Sequence, residues 1–156
     1  MHCAVGVRTK MPGPYARDRA HRMSNPQYTA SCLCGGVQLA LDAEPGPIHI
    51  CHCVMCRKAQ GGPFATNAKM PAAALNVTQG AELLANYESS PGHHRVFCKH
   101  CGSPLFMTNA DEPDVVNLRV GIIDGPLRTR PSSHYYVGQM ANWWRIDDQL
   151  LRFETE

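Results

Sequence analysis

Charge is scarce in this chain, and what there is nearly cancels. Charged residues make up 18% of the sequence, aromatic residues 7%, and the formal net charge is +2. No block of lysines or arginines occurs, so the sequence shows no electrostatic footprint for nucleic acid. No run approaches the roughly 20 apolar residues that a membrane helix needs. The opening stretch, Met1 to Arg8, lacks the apolar core of an export signal. No Ser-His-Asp pattern, phosphate loop or dinucleotide fingerprint is evident. These absences argue against nucleic-acid and membrane partners and against several large enzyme classes. They also make a cytoplasmic location the expectation.

Cysteine is what the chain has in plenty, with eight residues among 156. In a reducing compartment such clusters read as metal-binding or catalytic rather than as a disulfide framework, which is the main competing reading. The densest stretch is Cys51-His52-Cys53-Val54-Met55-Cys56, where a Cys-x-Cys step overlaps a Cys-x-x-Cys step. Three sulfurs this close can converge on one soft cation, but disulfide geometry would strain any attempt to bridge them all. Cys32-Leu33-Cys34 lies upstream and Cys98-Lys99-His100-Cys101 downstream. Those two pairs together supply four thiolates, the complement of a closed tetrahedral zinc site. The triplet supplies three, and a zinc with three protein ligands keeps a position for water or substrate. Two zinc ions per chain are therefore expected, one structural and one catalytic, with iron as the alternative metal.

Other readings of these residues stay open. The four outer cysteines could be redox-active thiols. The triplet could be closed by a histidine: His49, His93, His94, His100 or His134. His52, between two ligands, is expected to point away. Arg95 and Lys99 are candidates to offset the charge of a four-thiolate site. Arg57 and Lys58 could draw in an anionic ligand or balance the triplet. His93 and His94 read as solvated, and Trp143 and Trp144 as packing residues. Cys3, His2 and His21 belong to no site.

The length fits one domain. Residues 1–27, with Pro12, Pro14 and Pro26 and no hydrophobic period, read as a disordered leader or an extended start, with Met11 and Met23 as possible starts. Residues 28–156 read as the single domain. Val37, Leu39 and Leu41 alternate with polar positions, as do Val116, Leu118, Val120 and Ile122. A hairpin is predicted over Tyr28–Asp42, a strand at 48–50 and another at 64–68. Further strands are predicted at 83–87, on both sides of the downstream cysteine pair, and at 116–122. Short helices are expected at 57–60 and 71–75. Many short strands with frequent Gly and Pro and no long amphipathic helix predict a mainly β fold.

Three segments carry a family resemblance. They are Ser31-Cys32-Leu33-Cys34-Gly35-Gly36-Val37, Cys51-His52-Cys53-Val54-Met55-Cys56-Arg57-Lys58 and Phe97-Cys98-Lys99-His100-Cys101-Gly102. Taken together they resemble the glutathione-dependent formaldehyde-activating enzymes, the CENP-V/GFA domain family, over about residues 28–150. The resemblance implies a Mss4-like fold of folded-over antiparallel β-sheets. It implies a structural zinc on Cys32, Cys34, Cys98 and Cys101 and a catalytic zinc on Cys51, Cys53 and Cys56. The activity it implies is a carbon–sulfur lyase-type reaction joining formaldehyde to glutathione as S-hydroxymethylglutathione, so a small-molecule thiol and an aldehyde are the expected partners. The alternative is a non-catalytic Mss4-like zinc module that binds a protein partner.

Overall fold

Alternation in the sequence becomes alternation of burial. The computed structural model describes residues 27–155. The leader expectation and Cys3 therefore lie outside the described residues, apart from Gln27. In chain order the strands are β1 (Tyr28–Ser31), β2 (Gln38–Leu41), β3 (Ile48–Cys51), β4 (Ala65–Pro71), β5 (Leu75–Gln79), β6 (Leu84–Ser90), β7 (His93–Cys98), β8 (Pro104–Asn109), β9 (Val115–Arg119), β10 (Ile123–Asp124), β11 (Pro131–Tyr135) and β12 (Leu151–Phe153), and the helix α1 (Val54–Gln60) follows β3. They form a small sheet, β10-β1-β2-β5, and a large one, β12-β11-β3-β4-β9-β8-β7-β6. Among the described residues no helix is long and apolar enough to cross a membrane.

The two faces of the large sheet differ completely, and strand register shows how. Ala68, Leu118, Phe106 and Val96 are Cα partners in one row across β4, β9, β8 and β7. Leu118, Phe106 and Val96 pack with Leu39, Leu41 and Leu75 of the small sheet to make the main core. Burying each large aliphatic or aromatic side chain there contributes about 1.5–3 kcal/mol. The residues one step out of phase face the other way. Arg95, Met107, Asn117 and Lys69 form a row on that face. Arg119, Asn67, His49, Ser133 and Leu151 form the next. Ala65, Cys51, Tyr135 and Phe153 form a third. One side of the sheet is thus core and the other is a polar floor ending at Cys51.

Several expectations shift in detail. The helix starts at Val54, earlier than its predicted Arg57, and takes in Cys56. The 64–68 strand runs on to Pro71, so only Ala72–Ala74 makes a 3-10 turn. β6 continues through Ser90, past the predicted end at residue 87, and the turn tightens to Pro91-Gly92. The alternating stretch to Ile122 is not one strand. β9 ends at Arg119 and a 3-10 turn covers Val120–Ile122, after which β10 pairs with β1 in the other sheet. The chain has to change sheets there, which overrides the period. The large sheet is also not wholly antiparallel, because β11 runs parallel to both β3 and β12. Parallel neighbours need a long crossover, and residues 136–150 provide one between β11 and β12.

Candidate metal centres

The first thiol cluster lies where the sheets meet. Cys32 and Cys34 sit in the turn after β1, while Cys98 ends β7 and Cys101 lies in the turn that follows. Both turns close through a glycine in the left-handed region, Gly35 at φ 71° and Gly102 at φ 76°, a conformation that costs other residues energy. Each turn is pinned by a backbone bond, from Gly35 N–H to the Cys32 carbonyl at 2.9 Å and from Gly102 N–H to that of Cys98 at 2.8 Å. The Val37 N–H also donates to Cys32 Sγ at 3.2 Å.

The four Sγ atoms lie within 4.8 Å of one another. Two of the edges are 3.4 Å, Cys32 to Cys34, and 4.0 Å, Cys34 to Cys98. A tetrahedron with metal–sulfur bonds of 2.3 Å has edges of about 3.8 Å, so a zinc-sized ion fits. These separations are far beyond the roughly 2.05 Å of a disulfide, and every described cysteine is free. Acidity within the cluster is uneven. The Ser103 hydroxyl and backbone bring the Cys101 thiol down to about 5. The Gly36 backbone lowers Cys34, but Cys32, burial and the other two thiols outweigh it and push it up to about 12. Lys99 is exposed beside this cluster, whereas Arg95 lies on the opposite face of the sheet.

The second cluster sits on that opposite face. β3 directs Cys51 to the polar floor, and Cys53 follows as the residue capping α1. The first turn of the helix brings Cys56 back, with its N–H donating to Cys53 Sγ at 3.3 Å. The three sulfurs lie within 4.8 Å of one another. All three residues are buried, at 7%, 8% and 5% exposure for Cys51, Cys53 and Cys56. Among the described residues no histidine, carboxylate or further cysteine joins them. Hydrogen bonds from Cys51 and then Cys53, helped by the charges of Arg119 and Arg95, hold Cys56 far below the usual thiol range despite its burial. Contacts with Cys53 and Cys56, and burial, push Cys51 far above that range. Arg119 is itself buried, donates to Asn67 Oδ1, and lies 3.0 Å from Met107 Sδ. Burial lowers its guanidinium and the Cys56 thiolate offsets that.

None of the histidines suggested as a fourth ligand joins the triplet, although His49 and His93 line the cavity above it. His52 points to the far side of the sheet as expected, wholly buried. Its Nε2 lies 2.8 Å from His134 Nδ1, and His134 Nε2 lies 3.1 Å from an Asp148 oxygen. The Asp148 carboxylate can only accept, so His134 Nε2–H donates to it, and one proton is shared between His134 Nδ1 and His52 Nε2. Burial, then His134, holds His52 below the usual range and therefore neutral. This ladder backs the Cys51–Cys53 loop from behind and ties it to the C-terminal segment. Phe64 stacks edge-on against His52, and Trp144 against Phe64. Trp144 thus packs as expected, but Trp143 is 66% exposed. His93 and His94 are half-buried in β7 rather than solvated.

A cavity of about 930 Å³ opens over the triplet. That is at the upper end of the roughly 300–1,000 Å³ of small-molecule sites. One wall is apolar, from Tyr135, Tyr136, Leu151 and Phe153, and the opposite wall carries Arg95, His93 and Asn109. Tyr136 holds a left-handed backbone at φ 59°, a strained state for a bulky residue, and packs on the triplet. Arg57 and Lys58, suggested as anion-attracting residues, do not line this cavity; Arg95 does. Sequence reading assigned Arg95 to the other cluster and did not single out Arg119. The available signal was phase, since both share strand parity with the floor.

Residues 27–139 match the family of glutathione-dependent formaldehyde-activating enzymes. The chain belongs to this family. A relative from Halomonas elongata carrying the glutathione-dependent formaldehyde-activating name is 33% identical over 128 residues, covering 76% of this chain and 80% of its own. An uncharacterized lyase of Schizosaccharomyces pombe is 32% identical over 96 residues, 59% of this chain and 66% of its own. A crystal structure of a Rhodobacter sphaeroides protein shares the fold with a TM-score of 0.55 at 23% identity, over 67% of this chain and 99% of its own. Members of this glutathione-dependent formaldehyde-activating family are thus named as enzymes, and both thiol clusters of this chain fall within the matched segment.

Proposed function

We propose that this chain is a zinc-dependent enzyme acting on a thiol–aldehyde adduct, with S-hydroxymethylglutathione as the leading example. In the joining direction the thiol sulfur bonds to the aldehyde carbon and the thiol proton ends on the former carbonyl oxygen; the lyase direction reverses both changes. One observation carries the reading: three buried thiols lie within 4.8 Å of one another, and they line a cavity with no fourth protein ligand among the described residues. Cys51, Cys53 and Cys56 would hold the ion. Zinc bound so would supply Lewis acidity and keep a thiol deprotonated near neutral pH. Arg119 supplies buried positive charge beside the sulfurs. Tyr135 and Tyr136 wall the site against water. Cys32, Cys34, Cys98 and Cys101 would hold the structural ion. A reducing, cytoplasmic setting suits seven free thiols.

The test is the rate of S-hydroxymethylglutathione formation over the spontaneous reaction. The excess should vanish in Cys53→Ser while the circular dichroism spectrum is kept. A wild-type rate equal to the uncatalysed one removes the named reaction. The rival reading, a non-catalytic module docking a protein, draws on exposed Trp143, Leu151 and Phe153. An exposed apolar patch is a common mark of interaction sites. It requires the triplet to be dispensable, which the same Cys53→Ser variant examines.

A further inference from the structure

The cavity that opens over the triplet carries a positive charge that no carboxylate of the described residues answers. Glu112 is the acidic residue lining the cavity, and Lys69 Nζ already holds it at 3.1 Å. Three thiolates around a divalent ion leave one net negative charge, and buried Arg119 offsets it from beneath. Arg95 is then surplus. Its guanidinium has five N–H donors, yet its hydrogen bond among the described residues is one contact, Nη1 to Met107 Sδ at 3.5 Å. A thioether is a weak acceptor, and no carboxylate of the described residues pairs with Arg95. The same strand places His93 two residues away, lining the same cavity.

We infer that Arg95 is the residue that anchors a carboxylate of the thiol substrate, at the end of the cavity away from the triplet, so that an extended ligand reaches both. A guanidinium fork matches a carboxylate in two parallel hydrogen bonds, which gives both energy and orientation. Distance supports the extended part. Arg95 on β7 is four strands from Cys51 on β3, about 19 Å between backbones at the usual spacing. The arginine stem and the helix-borne Cys56 shorten that gap. An extended tripeptide spans roughly 10 Å, so a peptide thiol can touch both ends and a two-carbon thiol cannot. The apolar wall of Tyr135, Leu151 and Phe153 lies on the opposite side, leaving the charged end of the ligand one favourable orientation. The inference rests on the reading of the triplet as the thiol-binding centre.

The experiment is calorimetric titration of zinc-loaded protein with S-methylglutathione, whose sulfur is blocked but whose carboxylates are intact, and with its dimethyl ester. Wild type, Arg95→Gln and Arg95→Lys are compared, each checked for unchanged metal content and melting temperature. Arg95→Gln should weaken the acid about tenfold or more. Arg95→Lys should fall between, because the charge stays and the fork is lost. The ester should bind all three proteins equally and weakly. Equal affinity of wild type and Arg95→Gln for the acid, or no binding of the acid to wild type, overturns the anchor. A protein that binds the acid through Arg95 but gives no rate above the spontaneous reaction supports the anchor and removes the enzymatic reading. A protein that catalyses the reaction without Arg95 dependence does the reverse.

Discussion

The two thiol clusters sit on opposite faces of one eight-stranded sheet, and almost everything else about them follows from that. Cys98 and Cys32 belong to the main core between the sheets. Cys51, Cys53 and Cys56 form a separate small cluster with Ala65 and Tyr136. The first draws its ligands from segments 64 residues apart, as Cys34 and Cys98 show, and joins the strands of both sheets. The second is local in sequence, closes no long loop, and opens to the cavity. An ion at the first can stabilise the fold, because it constrains distant parts of the chain. An ion at the second would hold together little that the strand and helix do not already fix. Such an ion would be free for chemistry for the same reason.

Breaking the first cluster should therefore be catastrophic. Structural zinc in small domains supplies about 10–16 kcal/mol of apparent binding energy, against a typical domain stability of about 5–15 kcal/mol. Cys98→Ser is expected to lose cooperative thermal unfolding and most soluble yield; a folded Cys98→Ser would erase the contrast. A smaller effect comes from the ladder behind the second cluster. His134→Ala strands His52 Nε2 in a buried site, at a cost of about 1–3 kcal/mol, which denaturant titration reads directly. It should also speed metal loss from the triplet to a chelator while the four-thiolate ion stays. Cys53→Ser should cost still less stability, within about 1 kcal/mol, a shift of about 2–4 °C in melting temperature, yet remove one metal ion and all activity. Leu151→Ala, at a site 66% exposed, should change stability by no more than about 0.5 kcal/mol. Its effect belongs in ligand affinity, since Leu151 lines the cavity.

Sequence alone made the thiol division legible, because ligand spacing is a local property. Cys51, Cys53 and Cys56 converge through one strand end and one helical turn, and the two knuckles carry their turn glycines beside them. The hairpin of β1 and β2 was readable for the same reason. What depended on distant pairing was not. The parallel placement of β11 beside β3 comes from a crossover that leaves no periodic signal. The break after Arg119 comes from the need to change sheets, although the alternation continues to Ile122. His134 was considered as a metal ligand, and only the parallel register, which pairs it with Ile50, shows that it faces away. Arg95 was assigned to the nearer cluster in sequence, because which face of a sheet a residue takes depends on the strands beside it.

Cobalt(II) substitution followed by glutathione titration tests the central contrast most directly, since cobalt absorption reports the ligands at each site. The expected result is two ions per chain, with one absorption envelope unmoved by glutathione and the other shifting to that of a four-sulfur site, and with the shift lost in Cys53→Ser. A single ion per chain, or two ions whose spectra ignore glutathione, would show that the second cluster has no position to offer.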